Sequence, residues 1–101
     1  MQITLSGRHM DITPAIREYM ETKAAKLPRY YDRIQSITGT IDQRDHRIFQ
    51  VEMHAEVDHA DPFVATDESD DLYKSIDAVV NKLERQLTDH KEKLRNRKHM
   101  V

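Results

Sequence analysis

Apolar residues recur every three or four positions along the last third of the chain. Leu72, Ile76, Leu83, Leu87 and Leu94 mark this stripe, and neither Gly nor Pro interrupts it. This spacing places apolar side chains on one face of a long amphipathic helix. Good helix formers (Leu, Lys, Glu, Gln and Arg) dominate its second half. The pattern predicts a helix over residues 72–98, with an N-cap at Ser69 or Asp70.

A second helix is predicted near the N-terminus. Thr13 followed by Pro14 is typical of a helix start, because the hydroxyl can cap the helix and proline fits the first helical position. The apolar stripe continues through Met20 to Leu27. Pro28 should end or kink the helix there, since proline lacks an N–H and clashes with the preceding turn.

Four other segments alternate between apolar and polar residues, as strands with one buried face do. They cover residues 2–7, 34–42, 48–58 and 63–67. The third is the clearest, with apolar side chains at every second position from Phe49 to Val57. Its other face carries polar and mostly acidic side chains, which predicts one buried and one wet side of a sheet.

The predicted order is strand, helix, three strands, helix. A crossover between neighbouring strands is right-handed in nearly all proteins and makes the first two strands parallel. We therefore expect one α+β domain over residues 1–101: a two-layer β-α-β-β-β-α sandwich with a four-stranded mixed sheet and both helices on one face. A short basic tail is expected to follow the last helix.

The net charge of −2 conceals a strong asymmetry. Residues 1–41 hold six basic and four acidic side chains, residues 42–81 three and eleven, and residues 82–101 seven and three. A second basic set at the end of the first helix consists of Lys23, Lys26, Arg29 and Arg33. If the helices lie side by side, the two basic sets would join into one surface suited to phosphates. The alternative is an ordinary solvated charged face, which most charge runs are.

Nothing in the pattern indicates catalysis, a metal or a cofactor. The chain has no cysteine, so thiolate ligands and a cysteine nucleophile are excluded. Its two glycines form no phosphate-binding loop. The acidic run 67–71 lacks the glycine and terminal glutamate of a calcium loop and fits a helix start better. The histidines are scattered, so we expect structural or solvent-exposed roles for them.

Neither a membrane span nor a signal peptide is predicted. No apolar run approaches the roughly 20 residues that cross a bilayer, and the N-terminus lacks a signal-peptide pattern. We therefore expect a soluble cytoplasmic protein with no membrane partner.

Three stretches carry a joint resemblance to a known family. They are the opening MQITLSGRHMDIT, the segment AIREYMETKAAKL with the following RYYDRI, and the long DLYKSIDAVVNKLERQLTDHKEKL. Together they resemble the short form of the ribosome hibernation-promoting factor family, also called ribosome-associated inhibitors or sigma-54 modulation proteins. The resemblance runs along nearly the whole chain and implies the same order of strands and helices.

The resemblance implies a non-enzymatic silencer of translation. Such proteins bind the small ribosomal subunit in the channel of mRNA and the A- and P-site tRNAs, and their basic helix faces contact rRNA in stationary phase or starvation. The positions carried over as RNA-binding are Arg8, Lys23, Lys26, Arg29, Lys82, Arg85, Gln86, Lys91, Lys93 and Arg95. All are expected to clamp phosphates except Gln86, which offers a hydrogen bond. Tyr73, Ile76 and Asp77 are assigned to packing and helix start.

The chain departs from the family pattern in several places. Pro28 stands where the family continues its helix, so we expect the position of Arg29 to be shifted. The acidic 42–71 region is expected to face solvent or a basic ribosomal protein. Because the chain stops at Val101, we expect the dimerisation domain of the long form to be absent. Ribosome dimers would then require a second hibernation factor, and simple inhibition of monomeric ribosomes is equally open.

Two other classes of function stay open at this stage. One is a general module that binds structured RNA without the ribosome. The other is a protein-interaction module whose last helix pairs with a partner helix.

Overall fold

The computed structural model describes the backbone of residues 1–99 and the side chains of residues 1–95. Its elements are β1 (Gln2–Arg8), α1 (Pro14–Ala24), a 3₁₀ turn (Leu27–Arg29), β2 (Ile34–Gln43), β3 (Phe49–Val57), β4 (Phe63–Ser69) and α2 (Leu72–His99). The predicted element order is confirmed. The side chains of the predicted basic tail, from residue 96 onward, lie outside the described residues.

The four strands form one mixed sheet in the order β1-β2-β3-β4. β1 is parallel to β2, and the other two neighbouring pairs are antiparallel. The long connection through α1 allows the parallel pair, whereas short turns allow only antiparallel ones. Both helices pack on the same face, so the α+β two-layer sandwich is confirmed. Within the described range, no helix is both long and apolar enough to cross a membrane.

The core lies between the sheet and the helices. The register aligns core residues across strands, as where Ile41 pairs with Val51 and Met53 pairs with Ala65. The sheet side chains buried there meet Met20 of α1 and three residues of α2, Ile76, Leu83 and Leu87, all fully buried. The opposite face of the sheet carries mainly Thr, Ser and Glu side chains, and neither helix covers it.

The start of α1 agrees with the prediction, but its end does not. The hydroxyl of Thr13 accepts a hydrogen bond from the Ile16 amide at 3.2 Å and caps the helix. The helix ends at Ala24, not at Leu27, and the 3₁₀ turn follows. Pro28 explains the difference, because it has no N–H to donate to the Ala24 carbonyl four residues earlier.

The predicted N-cap of α2 is wrong by one or two residues. Asp71 caps the helix, because its carboxylate accepts a hydrogen bond from the Lys74 amide at 3.2 Å. Ser69 is instead the last residue of β4. Its hydroxyl accepts a hydrogen bond from the Asp71 amide and lies 2.5 Å from the hydroxyl of the buried Ser75. The strand continues two residues beyond its predicted end, which moves the cap along the chain.

Candidate nucleic-acid interface

The 3₁₀ turn after α1 and the C-terminal half of α2 form a shallow cleft of about 240 Å³. Its lining residues are Arg29, Tyr30, Thr88, Lys91, Glu92 and Arg95. Two guanidinium groups and one ammonium group therefore share the cleft with a single carboxylate. All three cations are on exposed residues. Guanidinium and ammonium groups are the usual side-chain partners of phosphate oxygens. We call Arg29, Lys91 and Arg95 the basic cleft.

The turn that carries Arg29 is fixed by its neighbours. Leu27 is fully buried in the core, and the Tyr30 amide donates to its carbonyl at 3.0 Å. This anchor leaves Arg29 exposed beside α2. Glu84 of α2, as a hydrogen-bond acceptor and as a negative charge, raises the pKa of the Tyr30 phenol. Of the second basic set, Arg29 meets the basic residues of α2 here, through the turn that Pro28 imposes.

Lys23 lies in the seam between the helices, away from the basic cleft. Its ammonium is 3.6 Å from the Asp77 carboxylate and 5.4 Å from the centre of the Tyr19 ring. The Tyr19 phenol donates to the same carboxylate at 2.8 Å, and its ring meets Tyr73 edge-on with centroids 4.8 Å apart. The hydrogen bond to Asp77, then burial, then the negative charges of Asp77 and Asp71, raise the pKa of Tyr19.

Lys82 and Gln86 lie on the other flank of α2, next to β4. The Lys82 ammonium donates to the Thr66 carbonyl at 2.7 Å and is 3.5 Å from the Asp67 carboxylate. The Gln86 amide donates to the Val64 carbonyl at 3.1 Å. Both residues therefore bind the outer edge of β4 within the same chain. A role as phosphate clamps would have to coexist with these contacts.

The other predicted RNA-binding residues of the helix layer are exposed. Lys93 lies on the flank of Lys82, eleven residues further along the helix, whereas Arg85 lies on the outer face of α2. Lys26 is exposed on the turn that leads to Arg29. Lys26 and Arg85 therefore widen the basic surface around the cleft, whereas Lys93 adds a charge on the opposite flank of α2.

Arg8 is not brought to this surface. It pairs in register with Asp42 at the end of β1 and lies on the uncovered face of the sheet. There it lines a separate depression whose other lining residues are Thr40, Asp42, Arg44, Gln50 and Glu52. The sequence did not single out Arg44, because Arg44 and Arg47 alternate with aspartates in a polar hairpin and form no basic run. Among the residues with described side chains, no group of three or more His, Asp or Glu is placed to hold a metal ion.

A comparison with known protein families identifies the family to which this chain belongs. Residues 3–95 match the family model described as Sigma 54 modulation protein / S30EA ribosomal protein. The chain belongs to this family. The resemblance stated from the sequence is therefore confirmed. The S30EA family is not an enzyme family, which also confirms that the chain is not a catalyst.

Curated S30EA relatives match over most of their length. The ribosome hibernation promoting factor of Azotobacter vinelandii is 40% identical over 98 residues, which cover 92% of this chain and 85% of that protein. The ribosome hibernation promoting factor of Escherichia coli K12 is 36% identical over 104 residues, with coverages of 94% and 98%.

Solved structures of S30EA-like chains share the fold. A ribosomal subunit interface protein from Coxiella burnetii has a TM-score of 0.83 at 32% identity and covers 91% of this chain and 99% of its own. The N-terminal domain of Thermus thermophilus Protein Y has a TM-score of 0.81 at 32% identity, with coverages of 89% and 99%. The two-layer fold of this chain therefore recurs in a ribosomal subunit interface protein and in the N-terminal domain of Protein Y.

Proposed function

We propose that this chain is a ribosome hibernation factor. It binds the small ribosomal subunit in the channel of mRNA and the A- and P-site tRNAs and thereby silences idle cytoplasmic ribosomes in stationary phase or stress. The observation that carries the proposal is the basic cleft, where Arg29 joins Lys91 and Arg95. It lies in a chain whose relatives are named ribosome hibernation promoting factors.

The chemistry of the helix layer favours the RNA backbone over the bases. Residues 23–29 carry three basic and no acidic side chains, and residues 82–95 carry five and three. Base reading in single strands needs free aromatic rings, but Tyr19 and Tyr73 contact each other at the helix seam. Phosphate and shape recognition of folded rRNA is what such a surface offers.

The candidate residues divide into groups with different roles. The basic cleft is the centre, the exposed Lys26 and Arg85 extend it, and Lys93 adds a charge on the β4 flank of α2. Lys23 contributes from the helix seam, where Asp77 holds it. Lys82 and Gln86 act mainly at the β4 edge, and Arg8 would reach RNA only from the sheet side.

Co-sedimentation on sucrose gradients tests the proposal. Purified protein is run with small subunits and with whole ribosomes at low and high salt, and tRNA and mRNA are added as competitors. We expect near-stoichiometric, salt-sensitive binding that both competitors reduce. A protein peak that stays at the top of the gradient at low salt would overturn the ribosomal function. Equal affinity for arbitrary duplex RNA would favour the general RNA-binding module instead.

Matched variants test the surface. The cleft variant R29Q/K91Q/R95Q removes three charges from the proposed interface. The control R17Q/R44Q/R47Q removes three exposed charges elsewhere. Each lost phosphate contact lowers the salt slope of binding by about 0.7–0.9, so the cleft variant should lose roughly 2 units of slope and the control almost none. Equal slopes in the two variants would exclude the cleft as the interface.

A further inference from the structure

The uncovered face of the sheet is acidic where β3 and β4 meet. Glu52 and Glu56 lie on β3, and Glu68 lies on β4 opposite Gln50. Glu52 is 3.3 Å from the His54 ring, and Glu56 accepts a long 3.5 Å hydrogen bond from the Ser36 hydroxyl. Arg8 and Arg44 line the same depression as Glu52, but within the described side chains no Lys or Arg forms an ion pair with any of these carboxylates. We call Glu52, Glu56 and Glu68 the acidic sheet patch.

The basic cleft and the acidic sheet patch belong to different layers. The cleft is formed by the turn after α1 and by α2, whereas the patch lies on the sheet face that neither helix covers. Across its two shorter dimensions the molecule measures 22 and 19 Å. One copy therefore cannot bring its own two patches together, but two copies can.

We propose that the basic cleft of one copy docks on the acidic sheet patch of a second copy, so that the free protein associates head to tail. The cleft has three cations and one carboxylate, and the patch has three carboxylates with Arg8 and Arg44 on its β1 and β2 side, so the two surfaces have opposite charge balances. The contact is heterologous, because each partner contributes a different surface. A dimer of this kind keeps one unused cleft and one unused patch, and it can add further copies.

The sheet face is too small to bury the area of a stable complex, so the association is weak. A four-stranded sheet is roughly 15 Å wide and its strands here about 25 Å long, so a copy can cover about 400 Å² of this face. A stable complex buries about 800 Å² per partner. The contact is therefore held mainly by charge, and salt screens it. Under the proposed function rRNA uses the same cleft, so RNA displaces the second copy.

Sedimentation velocity over a range of protein concentrations tests the self-association. At about 10 mM salt charges act over roughly 30 Å, and at about 0.15 M over only 8 Å. We expect the sedimentation coefficient to rise with concentration at low salt and to lose this dependence at higher salt. A monomer at every concentration at low salt would overturn the proposal.

Mixing two variants tests which surfaces meet. The patch variant E52Q/E56Q/E68Q keeps the cleft, and the cleft variant R29Q/K91Q/R95Q keeps the patch. Each should be monomeric alone, whereas their mixture should form a complex limited to one copy of each. The control D11N/E18Q/D61N makes the same charge change at exposed positions elsewhere and should associate like the wild type. Loss of association in this control, or no complex in the mixture, would contradict the assigned surfaces.

The same variants separate this inference from the proposed function. The patch variant has an intact cleft and should bind small subunits as the wild type does. Self-association without subunit binding would support head-to-tail docking and reject the ribosomal function. Subunit binding with no self-association at low salt would reject the docking and leave the function in place.

Discussion

The Tyr19 phenol donates a hydrogen bond to the Asp77 carboxylate at 2.8 Å and so joins α1 to α2. The same carboxylate lies 3.6 Å from the Lys23 ammonium. The contact between the helices is therefore partly polar. This contact orients α1 and the turn that follows it against α2. Because the turn and α2 form the two sides of the basic cleft, the contact also shapes the cleft.

Replacing Tyr19 by Phe should destabilise the fold modestly. The ring contact with Tyr73 is kept, but a hydrogen bond to a charged acceptor is lost. For a half-exposed bond of this kind we expect the free energy of unfolding to fall by about 1 kcal/mol. Urea unfolding measures the change. Tyr73→Phe, which leaves the Tyr19–Asp77 bond in place, should stay within about 0.5 kcal/mol of the wild type. Equal stabilities of the two variants would contradict this role.

The contribution of Tyr19 should disappear at high pH. Its pKa is raised in the folded state, chiefly by the hydrogen bond to Asp77. A raised pKa means that the protonated phenol is stabilised by folding. The contribution is therefore complete below the unfolded value near 10 and is lost as pH rises through the folded pKa.

Unfolding experiments at a series of alkaline pH values check this. The difference in stability between wild type and Tyr19→Phe should shrink above about pH 10. Both proteins should carry Tyr30→Phe, because Glu84 also raises the pKa of Tyr30. A difference that stays constant into the alkaline range would show that the phenol does not stabilise the fold through its proton.

Removing the Lys82 side chain should lower the stability of the fold, whereas removing that of Arg85 should weaken ribosome binding. Lys82→Ala, combined with Gln86→Ala, leaves two β4 carbonyls without their side-chain donors. We expect a loss of about 1 kcal/mol in stability and faster amide hydrogen exchange in β4. Arg85→Ala should leave stability within about 0.5 kcal/mol but weaken binding to small subunits. The reverse result would make Lys82 a binding residue and Arg85 a structural one.

The two glycines should differ in their tolerance of alanine. A Cβ at Gly39 would lie 2.9 Å from a Leu5 methyl and 3.0 Å from the Met20 methyl. Both are ends of flexible side chains in a packed core, so we expect a cost of about 1 kcal/mol. A Cβ at Gly7 would meet the Met10 carbonyl oxygen, which is backbone and cannot rotate away. Gly7→Ala should therefore cost more, and thermal unfolding of both variants, with Ser6→Ala as control, measures the order.

Hydrophobic period was enough to predict the fold but not the ends of its elements. The alternation in β3 and the crossover through α1 specify a mixed sheet with one buried face. Ser69, Asp70 and Asp71 are all good helix caps, so the local sequence does not choose among them. The choice is made by a tertiary contact: Ser69 pairs with Phe49 at the start of β3, which leaves Asp71 to cap α2.

The sequence predicts which basic residues of α2 are exposed, but not how they are arranged around the helix. The helical period shows which α2 residues leave the core, but it does not show which flank meets α1 and which meets β4. That difference separates Lys91 and Arg95 from Lys82 and Gln86. The alternation of side chains along β1 predicts on which face of the sheet Arg8 lies. Arg8 is three residues from the buried Leu5, an odd number, so its side chain is on the other face.

The separation of charge between the two layers has a kinetic consequence. A molecule with cations on one side and carboxylates on the other has a dipole moment across its thin dimension. In the field of any polyanion this dipole exerts a torque that turns the basic side forward before contact. Fewer encounters are then wasted in the wrong orientation, so the association rate depends on how the charges are distributed, even though the net charge is negative.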